Sequence, residues 1–127
     1  MDFTIEFGGE PQDVTVTQWG TADLKTLRQF NADLISHPSY RGGLLILFEN
    51  SYLDLSVLSD RELEQIAVDV IDRDWESPPQ AVAIVAPDSQ TRAREREIVA
   101  HLGGSQSRRR VFTSHEDAVA WLREQRS

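Results

Sequence analysis

The sequence predicts an α/β fold: a single domain in the order β-β-α-β-α-β-α-β-α, with a mixed, mostly parallel central sheet. An N-terminal antiparallel hairpin opens it and four helices pack it. Three observations carry this expectation. The runs "LLILF" (Leu44–Phe48) and "AVAIVAP" (Ala81–Pro87) are apolar without alternation, as strands covered on both faces are. Helical spacing of apolar residues, with cap chemistry at the segment starts, recurs between and after them. Two segments ahead of them alternate apolar and polar residues, the period of a half-buried strand. Strands alternating with helices in this way imply parallel pairing.

Phe3, Ile5 and Phe7 alternate with Thr4 and Glu6 to give the first strand. "GGEPQD" is turn chemistry. Val14 and Val16 alternate with Thr15 and Thr17 in a second strand that ends near Trp19, and the two strands read as a hairpin. Gly20-Thr21 breaks the strand, with Thr21 as N-cap of a helix carrying Leu24, Leu27, Phe30 and Leu34. His37-Pro38 stops it, because a residue before proline is pushed out of the helical region. After the "LLILF" strand, Ser59 and Glu62 form an S-x-x-E capping box. Leu63, Ile66, Ala67, Val70 and Ile71 then make one apolar stripe. Asp69, Asp72, Asp74 and Glu76 fall on its solvent side as a charged face. Trp75 ends this helix, and "SPP" (77–79) separates it from the "AVAIVAP" strand. The third helix runs from about Ser89 to Leu102, with Gly103-Gly104 as its C-cap. Arg110–Thr113 form a short fifth strand. Ser114 caps the last helix, whose apolar face is Ala118, Trp121 and Leu122.

Composition narrows the function. The 127 residues suit one domain, and the absence of cysteine excludes disulfides, thiolate catalysis and cysteine-based zinc sites. The N-terminus lacks the apolar stretch of a signal peptide, and "LLILF" is too short to span a bilayer, so a cytoplasmic location without membrane insertion is expected. The net charge of −8 argues against nucleic acid as a partner. Residues 92–127 carry 8 bases against 5 acids, including Arg92, Arg94, Arg96 and the run Arg108–Arg110. They read as a solvated Arg–Glu helix and a strand entry in preference to an anion-binding face. His37, His101 and His115 are scattered outside any metal-ligand spacing, and no G-x-S-x-G elbow, P-loop or G-x-G-x-x-G occurs. No catalytic residue, cofactor site or metal site is therefore assigned. Glu49 lies at the strand edge where α/β folds place ligands. A receiver-type phosphorylation site is rejected there, because the expected aspartate, hydroxyl and lysine are all missing.

The segment Asn50–Leu58 is apolar for a surface connection, with Tyr52, Leu53, Leu55, Val57 and Leu58. It reads either as a partner-binding or ligand-covering flap, or as chain folded back over the sheet edge. On the first reading Tyr52, Leu53 and Leu55, with Trp75, are the candidate partner contacts, since interfaces concentrate energy in a few aromatic and aliphatic anchors.

The order and spacing of "WGTADL", "SHPSYRGGLLILFEN", "LSDREL", "AVAIVAPDSQTRAREREI" and "RVFTSHEDAVAWL" resemble the STAS or SpoIIAA-like domains over nearly the whole chain. Most closely they resemble the uncharacterised bacterial proteins described as STAS/SEC14-like. The resemblance implies one SpoIIAA-like domain over residues 1–127 that does not catalyse. Antagonist members of the family bind a partner kinase and are switched by phosphorylation in an Asp-Ser-(Ser/Thr)-Gly motif where the second helix begins. Here "LSDREL" has no glycine, and Asp60 and Arg61 stand where the motif places its hydroxyls. Ser59 is the nearest hydroxyl, and it is read as a cap and not as a phosphorylation site. The expected function is a cytoplasmic regulatory protein–protein interaction module, with a homodimer left open. The alternative, from the SEC14 side, is a carrier or sensor of a small apolar ligand or lipid, with a pocket between the sheet and the second and third helices.

Overall fold

The computed structural model describes residues 1–103 and 107–126. Its elements are β1 (Asp2–Phe7), β2 (Val14–Thr21), α1 (Leu24–Ser36), β3 (Leu45–Asp54), α2 (Asp60–Glu76), β4 (Ala81–Val85), α3 (Ser89–Ala100), β5 (Arg108–Phe112) and α4 (His115–Arg126). The strands lie in the spatial order β1-β2-β3-β4-β5. β1 pairs antiparallel with β2, and every other pairing is parallel. This is the architecture expected from the sequence. No helix among the described residues is long and apolar enough to cross a membrane.

The two central runs are covered on both faces, and their parity sorts the core. On one face Ile46 of β3 and Val82 and Ile84 of β4 pack with Val14 and Val16 of β2 and with Phe30 and Leu34 of α1. Nearer the end of β3, Leu53, Leu55 and Leu58 pack with Leu63 and Ala67 of α2 and Ile98 of α3. On the other face Leu45, Leu47, Ala81, Ala83 and Val85 pack against Ala118 and Leu122 of α4. Three crossover helices thus share one side of the sheet, and α4 alone covers part of the other. Because side chains alternate across a strand, runs that look uniformly apolar are divided between two cores.

Helix ends follow local chemistry. Ser59 Oγ accepts from Glu62 N at 3.1 Å, and Glu62 Oε1 accepts from Ser59 N at 3.0 Å, so the expected capping box is formed. Ser114 Oγ accepts from Asp117 N at 3.2 Å at the start of α4. The cap of α1 is Asp23, whose Oδ1 accepts from Thr26 N at 2.7 Å. Thr21 is instead the last residue of β2, held in register against Asp54. Strand pairing carries on past Gly20 and moves the helix start two residues along. Leu102 and Gly103 lie in the turn after α3, and Gly104 lies outside the described residues, so the Gly103-Gly104 cap is not described as a pair.

The largest departure from the sequence reading is β3. It does not stop at Phe48 but continues to Asp54, so half of the expected flap is strand. Between the pairs Thr17↔Glu49 and Trp19↔Tyr52, β3 spends three residues where β2 spends two. This bulge reverses the parity. Ahead of it Ile46 and Phe48 face α1 and α3; beyond it Leu53 and Leu55 face inward and Tyr52 faces out.

Candidate functional site

A cavity of about 90 Å³ lies between α2 and the sheet. Phe30 of α1, Phe48 and Leu53 of β3, Ile66 and Val70 of α2, Ile84 of β4 and Ile98 of α3 give it a mostly apolar wall. The polar groups in that wall are few, and two of them are paired. Asn50 Nδ2 donates to Glu95 Oε1 at 2.7 Å. Asn50 is 3% exposed and Glu95 6%. No protein group donates to Asn50 Oδ1.

Local structure explains how the two meet. Asn50 continues the inward parity of Ile46 and Phe48 to the brink of the bulge. Glu95 stands on the buried side of α3, in line with Thr91 and Ile98 at helical spacing. The N-terminal end of α3 is fixed by Asp88, which accepts from Gln90 N and Thr91 N, and by Thr91 Oγ1, which donates to Leu53 O at 2.8 Å. Burial disfavours the charged form of Glu95 and pushes its carboxyl up to about 7, against the opposing pull of the Asn50 hydrogen bond. A buried carboxyl that titrates near neutrality beside a cavity has the physical character of a functional group.

Arg73 and Arg109 reach the same cavity. Asp74 bridges them. Arg109 Nη2 donates to Asp74 Oδ2, and Arg73 Nε lies 3.4 Å from Asp74 Oδ1. Arg73 Nη1 also donates to Asn31 Oδ1 at 3.0 Å, which joins α2 to α1. Burial lowers the pKa of Arg109, and the Asp74 carboxylate opposes this. Asp74 is therefore not on the solvent side of α2, where the sequence pattern puts it. The run Arg108–Arg110 is likewise no continuous basic face. Arg109 points to the cavity side, while Arg108 donates to Gln125 Oε1 of α4 at 2.7 Å and Arg110 lies over the Phe112 ring.

The structure separates the expected partner contacts. Leu53 and Leu55 are buried, 4% and 2% exposed, and line the cavity, so they present no surface to a partner. The bulge, invisible to a period-two reading, turned them inward. Tyr52 and Trp75 are 85% and 86% exposed but lie on different elements, at the end of β3 and the end of α2. Beside Tyr52 in register is Trp19, also exposed, on β2. Ser59 is engaged in its capping box. Glu49 has its Oε1 3.6 Å from His115 Nδ1, on the face shared with α4. Among the described residues no group of three His, Asp or Glu side chains is arranged to hold a metal ion. Sequence reasoning missed Asn50 and Glu95. A signal was present: each is a polar residue at a position whose period belongs to the core.

No family model and no curated protein matches the sequence. Among solved structures the chain is similar to an uncharacterised protein of the DUF3478 family from Shewanella loihica PV-4, which has a SpoIIAA-like fold. The match has a TM-score of 0.58 and 17% sequence identity, and it covers 94% of this chain and 93% of that one.

Proposed function

From the premise that the chain adopts a SpoIIAA-like fold, we propose that it is a non-catalytic binding domain whose interior cavity takes a small, largely apolar ligand. One observation carries the reading: a buried carboxyl–amide pair in the wall of a mostly apolar cavity. Protein interiors are packed to crystal-like density, and a polar pair beside unfilled space costs stability that a purely structural core does not need to lose. The partner of Glu95 is an amide and not a nucleophile or a second base, which favours binding over chemistry. The volume bounds the ligand. Pockets for drug-sized molecules measure about 300–1,000 Å³. A cavity of about 90 Å³ does not accommodate a long acyl chain, so the ligand is smaller than a membrane lipid.

Methyl-resolved NMR under xenon pressure tests this reading, because xenon enters accessible apolar cavities. Shifts should be confined to methyl groups that line the cavity, such as those of Leu53, Leu55, Ile66, Ile84 and Ile98. Val70→Phe, which fills the cavity from α2, should abolish them. A parent protein whose methyl signals do not respond to xenon would remove the basis for a ligand site.

A second reading, a regulatory protein-interaction module, is favoured by the exposed neighbours Trp19 and Tyr52 on sheet that α4 does not cover. Exposed aromatic residues of this kind are common interface anchors. Trp19→Ser with Tyr52→Ser should then leave the melting temperature nearly unchanged and abolish a defined association, including self-association measured by sedimentation. An unchanged sedimentation profile and unchanged partner recovery would rule this face out.

A further inference from the structure

We propose that Asn50 and Glu95 are the polar anchor of the cavity, and that the molecule they select is a compact, uncharged alcohol. The inference rests on the reading of the cavity as a ligand site and adds which chemistry that site recognises. The pair is richer in acceptors than in donors. Asn50 Nδ2 already donates to Glu95 Oε1, and Asn50 Oδ1 is buried and receives no donor from the protein. Above about pH 7, where it is ionised, the Glu95 carboxyl offers about four lone-pair sites, of which Asn50 uses one. The complement of such a pair is a hydrogen-bond donor. Charge sets the second restriction. Arg73 and Arg109 share the cavity wall, and Asp74 between them together with an ionised Glu95 balances their charges. A cationic head would be buried with no counter-charge left for it, so the donor is uncharged, and a hydroxyl is the simplest such donor.

Size sets the third restriction. A cavity of about 150 Å³ lined by Leu, Ile and Phe binds benzene. At about 90 Å³ this one suits a body of fewer atoms than a benzene ring. The geometry also keeps the anchor in place. The β3 bulge brings Asn50 and Leu53 to one face, and Thr91 ties α3 to Leu53 O at 2.8 Å, which fixes the approach of Glu95. A hydroxyl bonded to the pair would have its carbon chain against Phe48, Ile66 and Ile98.

The isomers ethanol and dimethyl ether test the assignment, since they share the same atoms, are smaller than benzene, and only the alcohol donates. Each is titrated into the full chain at pH 8 and followed by methyl and Asn side-chain NMR shifts. The expected result is about tenfold tighter binding of ethanol, the worth of one hydrogen bond. Asn50→Leu combined with Glu95→Met replaces both partners by apolar groups of similar shape, a change that can be nearly neutral for folding. In that variant the two probes should bind alike. Equal binding by the parent overturns the anchor and leaves the cavity reading intact. A preference for ethanol that survives in the folded double variant also overturns it. Shifts with neither probe overturn the anchor and the cavity reading together. The parent comparison is decisive even if the double variant does not fold.

Discussion

Glu95→Gln will make the domain more stable than the parent at pH 8 and leave the two nearly matched at pH 5. The Glu95 carboxyl is pushed up to about 7 in the folded chain, from an ordinary value of 4.5. Between these values the folded state holds a proton that the unfolded state has released. The stability gained from neutral Glu95 is therefore fully present below about pH 4.5 and is lost as pH rises through about 7. At 1.36 kcal/mol for each unit, the parent should lose about 2–3 kcal/mol relative to the glutamine variant between pH 5 and pH 8. Glutamine cannot ionise, yet its Oε1 can still accept from Asn50 Nδ2. Arginine keeps its charge throughout this range, so Arg73 and Arg109 add no slope. Every other ionisable group is common to parent and variant, so its effect cancels in the difference. Urea unfolding of both proteins at the two pH values measures it. A constant difference between them would show that Glu95 is ionised in the fold at both pH values, as it is in the unfolded chain.

The same carboxyl marks where local pattern stops being informative. "LLILF" and "AVAIV" were legible because strands buried on both faces need no alternation, and the Ser59–Glu62 box was legible because its chemistry spans four residues. Asn50 and Glu95 each stand at a core-period position, but what joins them over 45 positions of chain, a bulge and a crossover, leaves no local mark. Glu95 is embedded in "RAREREI", whose charges suggest a solvated face, yet Arg94 is itself tied to Asp60 Oδ1 and Leu58 O at the start of α2. The choice between a flap and chain folded back over the sheet edge, of which the structure shows the second, stayed open for a related reason. An extra residue in β3 flips the parity, so the pattern after Glu49 matched neither a continuing strand nor a polar loop. Asp74 looked like one acid among several because its partner Arg109 lies on a strand formed three elements later. Trp75, its neighbour in sequence, is exposed, and one step along α2 separates the two environments.

Asp74→Ala should be among the most damaging single substitutions in the domain, at about 3–5 kcal/mol. The side chains of Arg73, Asp74 and Arg109 are 3%, 5% and 5% exposed, and Asp74 is the anion between the two guanidinium groups. Removing it leaves two buried cations facing each other beside a mostly apolar cavity. The contact also joins α2 to β5, while Arg73 joins α2 to α1 through Asn31. Its loss therefore loosens the helix that roofs the cavity. The size of this penalty does not mean that the three charges stabilise the fold. Taking charges out of water costs about as much as their attraction returns, and breaking a buried set differs from never having built one. The combined change Arg73→Met, Asp74→Leu and Arg109→Met should accordingly cost far less than Asp74→Ala alone. Unfolding midpoints of the two variants decide the matter. If the triple variant is the less stable of the two, the charged set contributes net stability. If Asp74→Ala costs under about 1 kcal/mol, comparable to an exposed ion pair, the set is not sealed from solvent.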